Sequence, residues 1–255
     1  MQCKSFIHEE EQEMHIIKNV IFDLYGTLLD IHTDEDQNEL WDKLAHFYKI
    51  YGGTYTSESI KKAYIEEVKK RQHHEECDID ILEVFDTLFK NSGVVVSQQT
   101  LVEVARLFRI VSLEYVKPYP HAEALLNYLK KHGYRIILLS NAQRSFTMDE
   151  LTATGIKDKF DGIYLSSDYK WSKPATAFYT AMLLEELILV NECIFIGNDH
   201  RTDIEGANRL GMKSIYLHTN CSPVEVPDEI DCTYRIDSGD ILEIIRIFEL
   251  EIQRQ

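Results

Sequence analysis

The sequence predicts an α/β fold: a Rossmann-like, doubly wound parallel sheet with an inserted all-helical cap domain. Three observations predict it. Short apolar runs alternate with helical patterns through most of the chain. Most of those runs are apolar on both faces, as parallel strands covered by helices must be. One long interval carries helical periodicity with no convincing strand.

The first run, Ile16 to Leu24, reads as a strand that delivers Asp23 to its own tip, with a glycine turn at Gly26. From about Thr33 to Val116 come four amphipathic helical patterns, near Gln37–Tyr51, Ser57–His73, Ile79–Lys90 and Ser97–Tyr115. Turns such as Gly52-Gly53 and Asn91-Ser92-Gly93 separate them. A helical insert directly after the first strand is expected to lie over the sheet's ligand edge. Residues 33–116 are therefore expected to form a cap over a core made of residues 1–32 and 117–255. The connections near Leu29–Asp34 and Val116–Tyr119 are the expected hinges. Beyond the insert, helical patterns at His121–His132, Ser145–Thr154, Thr176–Leu187 and Thr202–Leu210 alternate with four runs. These are Tyr134–Ser140, Gly162–Ser166, Glu192–Gly197 and Lys213–His218. Such βαβ alternation argues for a doubly wound sheet.

Composition bounds the function. With 255 residues, 44% apolar and 27% charged, the chain reads as globular and long enough for a core plus an insert. A formal charge of -16 argues against a nucleic-acid partner, which wants a basic face. Five cysteines, an odd number without a CxxC pair, argue against a disulfide framework or zinc site and fit a reducing cytoplasm. No run approaches the roughly 18 apolar residues of a membrane span. The N-terminal MQCKSFIHEEEQEMH is acidic and lacks an apolar stretch, so it is expected to be a mobile or surface-packed extension and not a signal peptide. Oligomeric state leaves no mark in the sequence.

In open α/β sheets ligands sit beyond the carboxyl ends of the strands. Reading those tips in order gives Asp23, then Ser140-Asn141, then Lys173-Pro174 after the third strand, then Asn198-Asp199-His200-Arg201-Thr202-Asp203. Each has a plain structural alternative. Asp23 can cap the turn at Gly26, Ser140-Asn141 is a common turn pair, and Asp199 and Asp203 suit a helix's first turn. Lys173 is harder to dismiss: Pro174 reads as the first residue of a helix, and a cation before it has the wrong sign for that dipole. An anion would resolve the conflict, and the convergence of all four tips on one site is the main signal.

At these residues the chain resembles the haloacid dehalogenase superfamily. The motifs stand as Asp23-Leu-Tyr-Gly26-Thr27, Ser140-Asn141, Lys173-Pro174 and Gly197-Asn-Asp-His-Arg-Thr-Asp203, over about 200 residues. The helical insert resembles the family's first-type cap. The resemblance implies that Asp23 attacks an electrophilic centre and forms a covalent aspartyl intermediate that water then hydrolyses. Ser140 would hydrogen-bond the substrate's oxygens, Lys173 would steady the nucleophile and neutralise the transferring group, and Asn141 and Tyr25 complete the expected catalytic set. Gly26, Thr27, Tyr179 and His200 are the further expected substrate-side residues.

The motifs disagree on chemistry. Family phosphatases carry an aspartate two residues after the nucleophile, which protonates the leaving oxygen; here Tyr25 stands there, as in the family's 2-haloacid dehalogenases. A phenol with a pKa near 10 is a poor general base at neutral pH. Ser140-Asn141, and Tyr179 six residues after Lys173, also match dehalogenases. Against this, Asp23, Asp199 and Asp203 would repel an anionic substrate, at roughly 4 kcal/mol per pair at 4 Å and a dielectric of 20. A hard cation is the natural remedy, Mg²⁺ being usual beside phosphate. Its expected ligands are Asp23, the Tyr25 backbone carbonyl, Asp199 and Asp203, with Asn198 in the slot of the family's usual first acid. No arginine of the insert is assigned to halide binding, since its basic runs read as solvated helix faces. The expected function is Mg²⁺-dependent hydrolysis of a small, anionic phosphorylated metabolite with a good leaving group. A metal-free 2-haloacid dehalogenase and a weakly catalytic small-molecule-binding member are the alternatives.

Overall fold

The structure, a computed structural model, describes residues 16–253. The expected N-terminal extension and Cys3 lie outside the described residues. In chain order the elements are β1 Asn19–Phe22, β2 Leu29–Thr33, α1 Asn38–Ile50, α2 Ser57–Arg71, α3 Ile81–Asn91, α4 Gln98–Ser112 and β3 Leu113–Pro118. There follow α5 Ala122–Lys131, β4 Arg135–Ser140, α6 Arg144–Ala153, β5 Gly162–Leu165, α7 Ser166–Tyr169, α8 Thr176–Glu186 and β6 Cys193–Gly197. After a π-helical turn at His200–Ile204 come α9 Glu205–Asn208, β7 Lys213–Leu217, β8 Tyr234–Ile236 and α10 Leu242–Gln253.

Among the described residues the main sheet runs β5-β4-β1-β6-β7-β8, with every pairing parallel. β1 is central because NVIF is apolar on both faces. Val20 and Phe22 join the cluster containing Leu125 and Leu129 of α5 and Phe248 of α10, while Ile21 joins Phe178 and Met182 of α8. Alternate residues of a strand face opposite ways, so this run can be buried only between two helix layers. The first strand, its two neighbours β4 and β6, and β5 thus bring their carboxyl ends to one edge.

The insert has a core of its own. Leu40, Leu44 and Tyr48 of α1, Ile60 of α2, Phe85 and Phe89 of α3 and Phe108 of α4 pack together, and Phe146 of α6 completes the cluster from outside the insert. Its helices start where side chains cap them: Thr56 accepts from the Ser59 amide, Asp80 from Leu82 and Ser97 from Thr100. Polar contacts hold it to the sheet-bearing part. Gln143 donates to the Ile79 carbonyl at 2.8 Å and accepts from the Ile81 amide at 2.9 Å, and Arg106 pairs with Asp149 at 2.7 Å.

Three expectations need correction. The two connections are not bare hinges: β2 and β3 form an antiparallel ribbon, Leu29 opposite Pro118 and Ile31 opposite Val116. β3 begins at Leu113, inside the stretch read as helix, because α4 stops at Ser112 and backbone pairing with β2 wins over the helical pattern. Pro174 does not open a helix; it follows a cis bond from Lys173, and α8 begins at Thr176. β8 and α10 had no assignment from sequence. No helix among the described residues is long and apolar enough to cross a membrane.

Phe108 is fully buried against the rings of Trp41, Tyr64, Phe85 and Phe146. Phe108→Ala should cost about 3–5 kcal/mol in urea unfolding, as truncation of a packed aromatic does. A loss well below that range would mean that the insert's core is not packed around this ring.

Candidate active site

Asp23 is the residue after β1, and its position follows from the strand: the Asp23 amide donates to the Ile196 carbonyl of β6 at 3.0 Å. One carboxylate oxygen, Oδ1, accepts from the Ser140 hydroxyl at 2.9 Å and from Lys173 Nζ at 2.6 Å. The other, Oδ2, lies 3.3 Å from the Thr27 hydroxyl, which also stands 3.2 Å from Asn198 Oδ1. Gly26 makes that approach possible. Its φ of +85° favours glycine, and a Cβ there would stand 2.4 Å from Asn198 Nδ2.

Lys173 is the hub. Its ammonium also donates to Asp203 Oδ1 at 2.7 Å, and its side chain is 2% exposed. Asn141 holds its backbone from both sides, accepting from the Lys173 amide at 2.7 Å and donating to its carbonyl at 3.1 Å. Asn141, expected among the catalytic residues, grips the lysine loop. Asp203 Oδ2 accepts from the Asp199 amide at 3.0 Å, and a side chain at Gly197 would collide with this carboxylate.

The charges are tuned accordingly. Burial alone would discharge Lys173, but Asp203 and Asp23 raise its pKa above the ordinary lysine value. Burial pushes the Asp203 carboxyl up to about 6, with Lys173 pulling down and Asp23 pushing up. At Asp199 burial is outweighed by hydrogen bonds from Arg201, so its carboxyl lies below the usual value. That guanidinium reaches both Asp199 oxygens, at 3.0 and 2.7 Å.

A cavity of about 200 Å³ opens here, lined by Asp23, Tyr25, Ser140, Asn141, Lys173, Asn198, Asp199, Thr202, Asp203 and Cys221. The four strand tips therefore meet, as expected. Other expected contributors stand elsewhere. Tyr179 is fully buried and donates to the carbonyls of Thr202 and Asp203, so it supports the Asp203 loop and does not reach substrate. His200 faces a separate open groove with Arg201 and residues 222–227. As ligand candidates Asp199 and Asp203 have their oxygens held by Arg201, Lys173 and a backbone amide. Among the described residues no three His, Cys, Asp or Glu side chains form a ready metal cage.

The Tyr25 hydroxyl turns away from Asp23. It bonds the Glu150 carboxylate and lies 3.1 Å from the Thr147 hydroxyl, both on α6. Burial and then the charge of Glu150 push this phenol far above its ordinary pKa, so it offers no acid or base near neutrality. Glu150 and Thr147 were missed from sequence, as was Thr219, whose hydroxyl donates to the Gly26 carbonyl at 2.7 Å. Thr219 follows β7 and could have been found by reading one more strand tip.

Comparison with known proteins bears on the family and the fold. The family described as haloacid dehalogenase-like hydrolase matches residues 17–211. The chain is 25% identical over 139 residues to a glyceraldehyde 3-phosphate phosphatase of Methanothermobacter thermautotrophicus; the match covers 53% of this chain and 62% of that one. It thus spans less than two thirds of that relative's length. A solved HAD phosphatase from Thermococcus onnurineus superposes with a TM-score of 0.59 at 18% identity, over 91% of this chain and 98% of that one. A solved L-2-haloacid dehalogenase gives 0.57 at 17% identity, over 92% and 99%. The fold is therefore shared with phosphatase and dehalogenase alike.

Asp203→Asn tests the charge balance. Because the Asp203 carboxyl is raised in the fold, the folded state holds its proton more tightly than the unfolded chain. Its stability contribution is full below the ordinary carboxylate range and is lost as pH rises through about 6. In metal-free buffer, wild type should lose stability relative to Asp203→Asn between pH about 4 and 6 by urea unfolding. The opposite trend would contradict the assignment.

Proposed function

The chain belongs to the haloacid dehalogenase-like hydrolases, and from that premise we propose that it hydrolyses a small phosphorylated metabolite through a covalent intermediate on Asp23. The observation that carries this reading is the donor pair on one Asp23 oxygen, Ser140 at 2.9 Å and Lys173 at 2.6 Å, beside an open cavity. Two donors fix the carboxylate's orientation, and an oriented anion at a cavity wall is what in-line attack on phosphorus requires. Asp23 forms the new O–P bond while the ester O–P bond breaks and its oxygen leaves with the electron pair. Water then cleaves the acyl phosphate, releasing phosphate and restoring the carboxylate. Ser140 and Lys173, both on the cavity wall, would also donate to the oxygens of the transferring group. The relative's name supports the phosphatase side of the family.

The donors fit Mg²⁺. Asp23, the Asn198 amide oxygen and the Tyr25 backbone carbonyl are hard oxygen donors of cavity-lining residues. Beside phosphate this ion needs only one or two carboxylates, with water and substrate completing its shell. Asp199 and Asp203, the ligands expected from sequence, fit less well because Arg201 and Lys173 already hold their oxygens. When bound, the ion supplies charge that offsets Asp23 and the phosphoryl oxygens.

With Tyr25 held by Glu150, no acid stands two residues beyond the nucleophile to protonate the leaving oxygen. The substrate class that suits such a site carries a leaving group stable without a proton, an acyl or aryl phosphate. The dehalogenase reading draws on Tyr25 itself and on Arg109 of the insert, 5.6 Å from the Tyr25 ring. It is weakened because Glu150 already neutralises that arginine.

Turnover of a series of aryl phosphates should fall steeply as leaving-group pKa rises, and EDTA should abolish it. Asp23→Asn should lower kcat by on the order of 10⁴ to 10⁶, the scale for removing a covalent nucleophile. A flat leaving-group dependence with chemistry rate-limiting would contradict the missing acid. Halide release from a 2-haloacid that survives EDTA would establish the dehalogenase instead.

A further inference from the structure

Tyr25 belongs to the nucleophile loop, Glu150 to α6 and Arg109 to α4 of the insert, and one buried carboxylate joins all three. Glu150 accepts from the Tyr25 hydroxyl and takes Arg109 in a two-point contact, Nε to Oε1 at 2.6 Å and Nη2 to Oε2 at 3.3 Å. The side chains are 14% and 8% exposed. The guanidinium lies 5.6 Å from the Tyr25 ring and 5.3 Å from that of Phe146. Among the bonds described above, this relay through Glu150 joins the insert to the nucleophile loop, whereas Arg106–Asp149 and the Gln143 contacts reach α6 and the loop before it.

The energetics give the arrangement a direction. A buried ion pair adds little over a well-packed apolar pair, but removing one partner strands a charge and is strongly unfavourable. Moving α4 away from α6 would leave the buried Glu150 carboxylate with the Tyr25 hydroxyl as its remaining donor among the bonds described above. The closed arrangement is therefore favoured, and the group that senses it sits two residues from Asp23.

We propose that Glu150 is a positioning residue that couples closure of the helical insert to the set of the nucleophile loop, with Arg109 as the insert's contribution and Tyr25 as the receiver. The role of Tyr25 is then to report the insert's position to Asp23, and not to donate or take a proton. The catalytic half of this inference rests on Asp23 being the nucleophile; the mechanical half does not.

Two measurements on Glu150→Gln, Tyr25→Phe, Arg109→Lys and the Glu150→Gln/Tyr25→Phe double variant test it. Hydrogen exchange of the full chain without substrate reads the mechanical half. Glu150→Gln keeps an acceptor for Tyr25 but loses the charge facing Arg109, and should speed amide exchange in α4 on the order of tenfold. Tyr25→Phe should leave α4 unchanged, and Arg109→Lys, which keeps the charge, should fall between. Steady-state kinetics on p-nitrophenyl phosphate read the coupling. Tyr25→Phe should lower kcat about tenfold with little change in KM, and the double variant should be no slower than the slower single one. Exchange in α4 equal to wild type in Glu150→Gln, or a rise spread evenly over the whole chain, would overturn the latch. Losses in kcat that multiply in the double variant would overturn the coupling. Exchange needs no turnover, so a wild type inactive on this ester would refute the phosphatase reading while leaving the latch decided. Turnover retained in Asp23→Asn would refute the nucleophile in the same way.

Discussion

A lysine ammonium buried between two carboxylates is the constraint on which the rest of the site depends. Lys173 touches Asp23 on one side and Asp203 on the other, and none of the three is more than 9% exposed. One ammonium serves two carboxylates, so removing Lys173 strands two buried anions, at about 3–5 kcal/mol in comparable cases, whereas removing one aspartate leaves a matched pair. The surroundings serve this trio. β1 must be central to bring Asp23 to it, Asn141 must grip the lysine backbone, Gly197 must lack a side chain so that Asp203 can approach, and Tyr179 must brace the Asp203 loop from below. A cation that is already shared could not by itself neutralise the phosphoryl group of the proposed substrate. The site's remaining need for positive charge is the physical reason a hard metal ion suits it.

The strand tips were legible because their chemistry is local. An apolar run on both faces, ending in a polar residue, says where a parallel strand stops and what it delivers. Asp23, Ser140, Lys173 and Asp203 follow from that reading alone, and they are the residues brought within hydrogen-bond reach of one another. Roles were less legible than positions. Asn141 and Tyr179 stand where their motifs put them, yet one holds a backbone and the other is buried under a loop, because burial and bonding partners are long-range facts. Asp199 followed from charge counting, which could not see that Arg201, two residues on, takes both its oxygens.

What escaped the sequence shares one cause. The β2–β3 ribbon pairs residues eighty or more positions apart, on strands too short to stand out against the helices beside them. The Arg109–Glu150 contact lies across 41 residues, between a helix of the insert and one outside it. Glu150 gives no periodic signal, since a buried acid on an amphipathic helix looks like any other solvated one. Tyr25 was conspicuous in sequence, but its meaning came only with its partners. Its phenol is bonded to Glu150, and the same carboxylate holds Arg109 of the insert.

The most direct test of the account is to catch the covalent step. Wild type mixed with an aryl phosphate and Mg²⁺ should be acid-quenched within a turnover and mapped by peptide mass spectrometry. The account predicts a phosphoryl group on the carboxylate of Asp23, absent from Asp23→Asn. Rapid phosphate release with no labelled peptide, or a label on another side chain, would contradict it.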